Sequence, residues 1–270
     1  MFADLMDYNE LIAGMKRFGS TEEDICLHGL GVTPERVREN VVVAPWWEPD
    51  TLPALGEARL LGHFADMKLW DVTGGGADLT YIKTGIGAPC FLEGLLPLGV
   101  TPCKRVVFIG SVGALNPGIG IGDIVIPEYS VCGDGASRYL SPDFARDVFG
   151  EKAYPDAALF EKAKAETARI CAETGVKWHV GRNFSIDTIF AQFAHIDAIM
   201  GMSCNVIEME TAAAFRAASI MGIPLVALFN VSDNTIANKS LVSGRTAEEE
   251  EYRRFTRREL FPRIVISLFE

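Results

Sequence analysis

Two acidic side chains flank a methionine in the stretch VIEMETAAAF, residues 206–215, where an apolar run gives way to an alanine-rich segment. Glu208 and Glu210 have two possible roles there. Carboxylates stabilise the first turn of a helix, where unpaired backbone N–H groups carry partial positive charge. Alternatively, a carboxylate at the end of a buried strand can reach into a cleft and bind the hydroxyls of a sugar. The choice between these roles depends on the rest of the chain.

Hydroxyl and acidic side chains also follow two other apolar runs. Ser111 and Gly113 come after RVVFIG, and Ser232 and Asp233 close the run PLVALFNVSD. Open α/β sheets bind ligands at the carboxyl ends of their strands, so these residues are candidates for a shared site. The alternative is structural: the serine caps a turn, and the aspartate caps the loop at 234–235.

Three glycine clusters raise the possibility of a dinucleotide cofactor. GGGADL and GIGIGD, which ends at Asp123, both lead into strands, so they are predicted to be turns. Only TGIGAPCFLEG, residues 84–94, follows a strand and opens a helix, and the amides of Gly85 and Gly87 could face an anion there. The dinucleotide-binding motif GxGxxG needs a glycine at its sixth position, but here that residue is Cys90. No acidic partner follows either, so no cofactor is predicted.

Short β-branched runs alternate with helical patterns, and several runs are apolar throughout, as in strands covered on both faces. This alternation predicts a layered α/β fold. No repeat or linker divides it, so one domain over residues 1–270 is predicted, with residues 1–40 as a helical extension containing a loop at HGLGVTPER. Strands are predicted at 41–44, 79–84, 105–110, 123–127, 177–184, 204–208 and 224–232, and helices at 89–98, 156–174, 209–222 and 246–269.

The composition restricts the classes of partner. The net charge is −11, so the average surface repels nucleic-acid phosphates and acidic membranes. Six cysteines are scattered without a CxxC pair, and none of the four histidines has metal-ligand spacing, so no metal is predicted. The N-terminus lacks the basic start of a signal peptide, and no apolar run reaches spanning length. We expect a cytoplasmic protein that binds neither nucleic acid nor membrane.

Several ordered motifs resemble the nucleoside phosphorylase and nucleosidase family. TGIGAP, IGSVGALNPGIGIGDIVIP and CGDGAS are similar to the uridine phosphorylase branch, and VIEMETAAAF followed by NVSDN resembles the family's ribose-binding and base-binding segments. The similarity covers roughly residues 40–235. The resemblance implies a three-layer α/β/α sandwich with a mixed, partly barrel-like central sheet. It also implies cleavage of the bond between a nucleobase and C1′ of ribose.

The resemblance assigns chemical roles to the acids. Cleavage of an N-ribosidic bond builds an oxocarbenium-like sugar, so the enzyme must orient the ribose and improve the base as a leaving group. By family implication Glu210 accepts hydrogen bonds from ribose hydroxyls, and Met209 packs under the sugar. Glu208 belongs to the same substrate segment, although successive residues leaving a strand point to opposite sides. Asp233, following Ser232, corresponds to an acid at N7 of a purine, and burial would raise its pKa.

The segment SIDTIFAQFAHI, residues 185–196, departs from the uridine phosphorylase pattern. Uridine phosphorylases read the pyrimidine with a glutamine and an arginine. Here Gln192 falls one place early, His195 takes the arginine's place, and Phe190 could stack on a base. Together with Asp233, which uridine phosphorylases lack, this favours a purine. Uridine phosphorolysis is the alternative.

The segments that hold phosphate in relatives also depart from the pattern, because the expected arginines are replaced by Thr51, Phe108 and Ala65. An anion site would then depend on Ser111, the amides of Gly85 and Gly87, and a lysine, Lys68 or Lys83. Without arginines these groups compete poorly with water for phosphate.

Family nucleosidases use water as the acceptor and activate it with a glutamate on the first loop. Glu48, in PWWEPD, is the corresponding candidate, and the two tryptophans beside it could raise its pKa. A surface turn acid is the alternative. We therefore favour water over phosphate, which stays a possible co-substrate.

His28 resembles a histidine that family members lend across a dimer interface to the ribose 5′-hydroxyl, so self-association as a dimer or hexamer is predicted. A non-catalytic nucleoside-binding protein is the rival from another functional class. It would keep Glu210 and Ser111 but would not need Asp233.

Overall fold

The computed structural model describes residues 5–241 and 244–270. The strands are β1 (Asn40–Ala44), β2 (Glu57–Phe64), β3 (Met67–Gly74), β4 (Ala77–Lys83), β5 (Arg105–Ala114), β6 (Ile124–Gly133), β7 (Lys152–Ala153), β8 (Trp178–Ile186), β9 (Val206–Glu208) and β10 (Leu225–Asn234). The α-helices are α1 (Tyr8–Arg17), α2 (Glu22–Leu30), α3 (Ala88–Leu95), α4 (Ala157–Thr174), α5 (Ile189–Gln192), α6 (Ile196–Gly201), α7 (Thr211–Met221), α8 (Ala247–Phe255) and α9 (Phe261–Phe269).

These strands form a sheet in the order β10-β6-β8-β9-β5-β1-β4-β3-β2, with β7 added to β6. Strand β5 is central because one of its edges has two partners in succession. Its first half pairs with β1, and its last two residues pair with β9. Its other edge pairs with β10, which closes β5, β10, β6, β8 and β9 into a five-strand barrel. Strands β1 to β4 extend the sheet from this barrel.

Apolar side chains on both faces of β5 explain the layers of the fold. Val106 and Phe108 point into a core shared with helices α3 and α7, whereas Val107 and Ile109 point into a second core shared with α4 and α9. This alternation with period two buries both faces of the strand, as the continuous apolar run predicted. The three-layer sandwich with a mixed, partly barrel-like sheet is confirmed.

Each predicted strand and helix has a counterpart, and the differences have local causes. The hairpin of β2 and β3 was missed, because β2 is mostly exposed and lacks a buried apolar run. The predicted helix 246–269 is three segments, α8, a π-helical turn at Thr256–Leu260 and α9. The expected loop at HGLGVTPER begins late, because α2 continues to Leu30 and ends at Gly31 with a positive φ of 71°.

No helix in the described ranges is long and apolar enough to cross a lipid bilayer. All six cysteines are unpaired thiols. Within the same ranges, no group of three or more His, Cys, Asp or Glu side chains could hold a metal ion.

Candidate active site

A cavity of about 720 Å³ opens where β5, β9 and β10 end. Ser111 and Gly113 come from β5, and Glu208, Met209 and Glu210 from the junction of β9 with α7. Register explains why they meet: Gly113 pairs with Ile207 on one side and with Asp233 on the other. The predicted residues that line the cavity are Glu48, Lys83, Ser111, Gly113, Gln192, Glu208, Met209, Glu210, Ser232 and Asp233.

The two glutamates of the opening motif have different surroundings. Glu208 is buried, and its carboxylate accepts hydrogen bonds from Asn183 Nδ2 (2.5 Å) and Ser185 Oγ (2.6 Å). It also accepts from the backbone N–H groups of Glu210 (2.6 Å) and Thr211 (2.8 Å), so it caps α7 and fixes the Glu210 main chain. Burial raises the pKa of Glu208, and these donors oppose the rise. Both of its oxygens are therefore engaged by the protein.

The Glu210 carboxyl group is buried at the cavity wall, and the Gly87 N–H donates to its Oε1 at 2.6 Å. Burial, and after it the nearby Glu208 carboxylate, raises the pKa of Glu210 well above its usual range. The carboxyl of Glu210 therefore faces the cavity from a dry, preorganised position, as a sugar-binding group requires.

The expectation that the Gly85 and Gly87 amides face an anion is wrong. Gly85 N–H donates to the Pro45 carbonyl at 3.1 Å, and Gly87 N–H is taken by Glu210. A backbone N–H already paired inside the protein has no second proton to offer a ligand. The glycine turn instead supports the carboxyl of Glu210 and begins helix α3 at Gly87, where φ is 94°.

Asp233 stands next to Gly113, where an added Cβ would lie only 3.2 Å from Asp233 Oδ2. Ser232 Oγ lies 2.6 Å from Asp233 Oδ1, within hydrogen-bond distance. Burial raises the pKa of Asp233, while Ser232 and the charges of Arg245 and Arg253 oppose the rise. The alternative capping role belongs to Asn234, whose Oδ1 accepts from the Ala237 N–H. Asp233 is thus a buried carboxyl group whose raised pKa favours a role as an acid.

Glu48 lines the cavity, but its expected electrostatic character is wrong. Its Oε1 accepts from Lys68 Nζ at 2.8 Å and Lys83 Nζ at 2.9 Å. These hydrogen bonds lower the pKa of Glu48 despite the tryptophans beside it. Lys83 lines the cavity, whereas Lys68 lies behind Glu48 and does not. A carboxylate stabilised by two ammonium groups is a weak base for activating water.

Two arginines that the motif search missed also line the cavity, Arg253 of α8 and Arg257 of the π-helical turn. Arg253 Nη2 donates to Ser111 Oγ at 3.1 Å, and the Arg257 guanidinium lies 5.5 Å from the ring centre of Trp47. Burial, and after it the charge of Arg257, lowers the pKa of Arg253 to about 10. The i, i+4 spacing puts both side chains on one helix face, but Arg254 and Arg258 have the same spacing on another face, so spacing alone does not single out the cavity pair.

Of the three residues in segment 185–196 predicted to contact the base, the structure places only one at the cavity. Gln192 is buried and lines the cavity together with Ile189. Phe190 is 94% exposed, and neither it nor the exposed His195 lines the cavity, so the structure does not bring these two to the site.

His28 lies away from the cavity, on the exposed side of the last turn of α2. Its ring centre is 4.4 Å from that of Phe64. A role at a subunit interface stays a prediction.

The family model described as "Phosphorylase superfamily" matches residues 54–260. The uridine phosphorylase of Thermococcus kodakarensis is 25% identical over 249 residues, covering 85% of this chain and 84% of that protein. A purine nucleoside phosphorylase, DeoD-type, of Streptococcus pyogenes is 26% identical over 181 residues, covering 65% of this chain and 70% of that protein.

Solved structures share the fold. Uridine phosphorylase from Vibrio fischeri ES114 superposes with a TM-score of 0.70 at 20% identity, covering 93% of this chain and 98% of that one. AMP nucleosidase from Bacteroides thetaiotaomicron superposes with a TM-score of 0.67 at 16% identity, covering 93% and 97%. At these identities the likeness concerns the architecture alone.

Proposed function

The chain belongs to the phosphorylase superfamily, and we propose that the protein cleaves the N-ribosidic bond of a purine nucleoside with inorganic phosphate as the acceptor. One observation carries the proposal. Ser111 with its arginine partner, Glu210 and Asp233 line a single cavity, so groups suited to an anion, a sugar and a base face one another.

The sugar would be held by Glu210. Its carboxyl group is fixed by Gly87, and its main chain is fixed by Glu208, so little reorganisation is needed when ribose hydroxyls bind. Met209 is half-buried beside it and offers an apolar surface to the sugar.

The base would be activated by Asp233. A protonated carboxyl group beside the ring can donate to N7 of a purine, which makes the purine a better leaving group. The raised pKa of Asp233 supports this role. The purine preference also has support from the DeoD-type relative, a purine nucleoside phosphorylase. A uridine phosphorylase is among the relatives as well. Of the glutamine and arginine positions that the resemblance assigns to the pyrimidine, however, only Gln192 lines the cavity, and the exposed His195 does not.

The preference for water that the sequence suggested depended on a lack of cations. Arg253 and Arg257 remove that reason. The Nε atom of each is buried and lacks a hydrogen-bond partner among the described residues. Removing a cation from water without a partner is costly, so both arginines favour an anionic ligand, and an oxyanion can accept bidentate hydrogen bonds from them.

Position favours phosphate as that anion. Ser111 belongs to β5, and of its three partner strands β9 leads to Glu210 and β10 carries Asp233, so an anion beside Ser111 would lie next to the reacting carbon. A phosphate oxygen would form a bond to C1′ as the C1′–N9 bond breaks and its electron pair passes to the base. Asp233 would give its proton to N7, and the proton of hydrogen phosphate would restore Asp233. The products are ribose 1-phosphate and the free purine.

The decisive assay incubates the protein with adenosine, inosine, guanosine, uridine or AMP, each with and without inorganic phosphate. We expect free purine and ribose 1-phosphate only when phosphate is present. Ribose formed at the same rate without phosphate would establish hydrolysis instead. Cleavage of AMP alone, without added phosphate, would assign the arginines to a 5′-phosphate. Tight nucleoside binding with no base released would support the binding-protein alternative.

A further inference from the structure

The glycine-rich stretch GIGIGD, residues 118–123, does not line the cavity, yet it ends in a buried acid. The Asp123 carboxylate accepts hydrogen bonds from the Gly120 N–H at 2.8 Å and from Tyr252 OH at 3.3 Å. His179 Nε2 lies 2.7 Å from Asp123 Oδ2, within hydrogen-bond distance. A buried carboxylate with three hydrogen-bonding partners is held in one position.

The Asp123 carboxylate holds α8, the helix that carries Arg253. Tyr252 immediately precedes Arg253 on α8, and its hydroxyl also accepts from the Lys177 N–H at 3.0 Å. The backbone of α8 lies directly on the loop. A Cβ added to Gly122, where φ is 88°, would be 2.5 Å from Tyr252 Cδ1 and 2.9 Å from the Arg253 nitrogen. Only glycine permits this approach.

The same loop forms backbone hydrogen bonds with β10, the strand that carries Asp233. Gly122 N–H donates to the Val231 carbonyl at 2.9 Å, and Val231 N–H donates to the Asp123 carbonyl at 3.0 Å. Ser232 and Asp233 are the next residues of β10. Residues 122–123 therefore contact both β10, which carries Asp233, and α8, which carries Arg253.

We infer that Asp123, Tyr252 and His179 are positioning residues that set Arg253 for phosphate binding. A long arginine side chain has many rotamers, and it binds an anion well only when its helix is held at a defined distance from the site. The inference rests on the proposed function, because it takes the anion at Ser111 to be phosphate. It adds a group of residues that touch no substrate and act through Arg253.

The test compares wild type with Tyr252→Phe, which removes only the hydroxyl, and with Tyr139→Phe, a matched change at a tyrosine that is 63% exposed and outside the cavity. The readouts are phosphate affinity by calorimetry and the separate KM values for phosphate and inosine. We expect Tyr252→Phe to weaken phosphate binding about five- to tenfold, the equivalent of one hydrogen bond, with the inosine KM changed less than about twofold. Tyr139→Phe should match wild type.

A double-mutant cycle with Arg253→Gln separates positioning from general stability. If Tyr252 acts through Arg253, then Tyr252→Phe should have no further effect on phosphate affinity once Arg253 is removed. Additive losses, or equal increases in both KM values, would overturn the inference. If Tyr252→Phe does not fold, His179→Ala removes a different partner of the Asp123 carboxylate, through a partly exposed side chain, and should weaken phosphate binding in the same direction.

The wild-type measurements keep the two proposals apart. A wild-type protein that neither binds nor uses phosphate overturns the proposed acceptor and this inference with it. A wild-type protein that uses phosphate, with unchanged phosphate affinity in the Tyr252 variant, overturns the inference alone.

Discussion

Arg253 Nη2 lies 3.1 Å from Ser111 Oγ, although the two residues are 142 positions apart in the chain. The contact joins a hydroxyl in the second half of β5 to a guanidinium on the C-terminal helical segment. It places positive charge at the cavity, whereas of Thr51, Phe108 and Ala65, where the resemblance implied arginines, only Thr51 lines the cavity.

Arg253→Gln should raise the KM for phosphate about 10- to 100-fold, because it removes a charged hydrogen-bond donor from the anion site. Arg257→Gln should act in the same direction. Arg254→Gln is the matched control, since Arg254 is exposed and its ion pair with Glu251 is on the surface. Steady-state rates at varied phosphate measure the effect. Equal changes in the Arg253 and Arg254 variants would contradict it.

Asp233→Asn should lower kcat by about 10²- to 10⁴-fold, the usual contribution of a positioned acid. Asparagine keeps the size of the side chain and can still donate a hydrogen bond, so nucleoside binding should change little. Fluorescence or calorimetric titration with inosine would measure binding independently of turnover. A variant with near wild-type kcat would remove Asp233 from the chemistry.

The pH dependence of kcat should contain a limb set by Asp233. An acid works only while it is protonated, and burial raises the pKa of Asp233 above the usual aspartate value. Activity should therefore hold on the acid side and fall as the pH rises through that raised pKa. The limb should vanish in Asp233→Asn and persist in Glu210→Gln. The reverse outcome would assign the limb to Glu210, whose pKa is also raised.

Glu208→Gln should destabilise the protein by about 1–3 kcal/mol, because an amide NH₂ would face donors that now bond to a carboxylate oxygen. Glu210→Gln should cost little stability, since the amide oxygen can still accept from the Gly87 N–H. It should instead slow turnover, because the amide replaces an oxygen that can accept from a ribose hydroxyl with an NH₂ group. Urea unfolding and kcat, measured on both variants, separate the two roles. Similar unfolding midpoints would show that Glu208 is not the structural member of the pair.

Sequence reasoning located the residues whose position follows from strand ends. Ser111, Glu210 and Asp233 each close an apolar run, and parallel or adjacent strand ends meet at one edge of a sheet. The wrong expectations concern groups whose partners are distant in the chain. The lowered pKa of Glu48 depends on Lys68 and Lys83, and the Gly87 amide is paired with a residue 123 positions away.

The arginines were missed for a different reason. In RRFTRR the basic residues follow the acidic run Glu248–Glu251, a pattern typical of a solvated helix face. Arg254 and Arg258 fit that description, because both are exposed. Arg253 and Arg257 differ only in the helix face they occupy, and that face is decided by how α8 lies on the loop at Gly122. Periodicity within one helix cannot supply this information.

The closed ring of β5, β10, β6, β8 and β9 divides the cavity residues into those on the barrel strands, whose positions are constrained, and those outside it, which can change more freely. Each bond-breaking group stands on or directly beside a strand whose neighbours are fixed around the whole ring, so shifting one group would disturb the others. The surface segments 45–51 and 189–192 reach the cavity from outside that ring. Redesign or natural drift toward a different purine should therefore accumulate in those two segments and leave the ring sequence almost untouched.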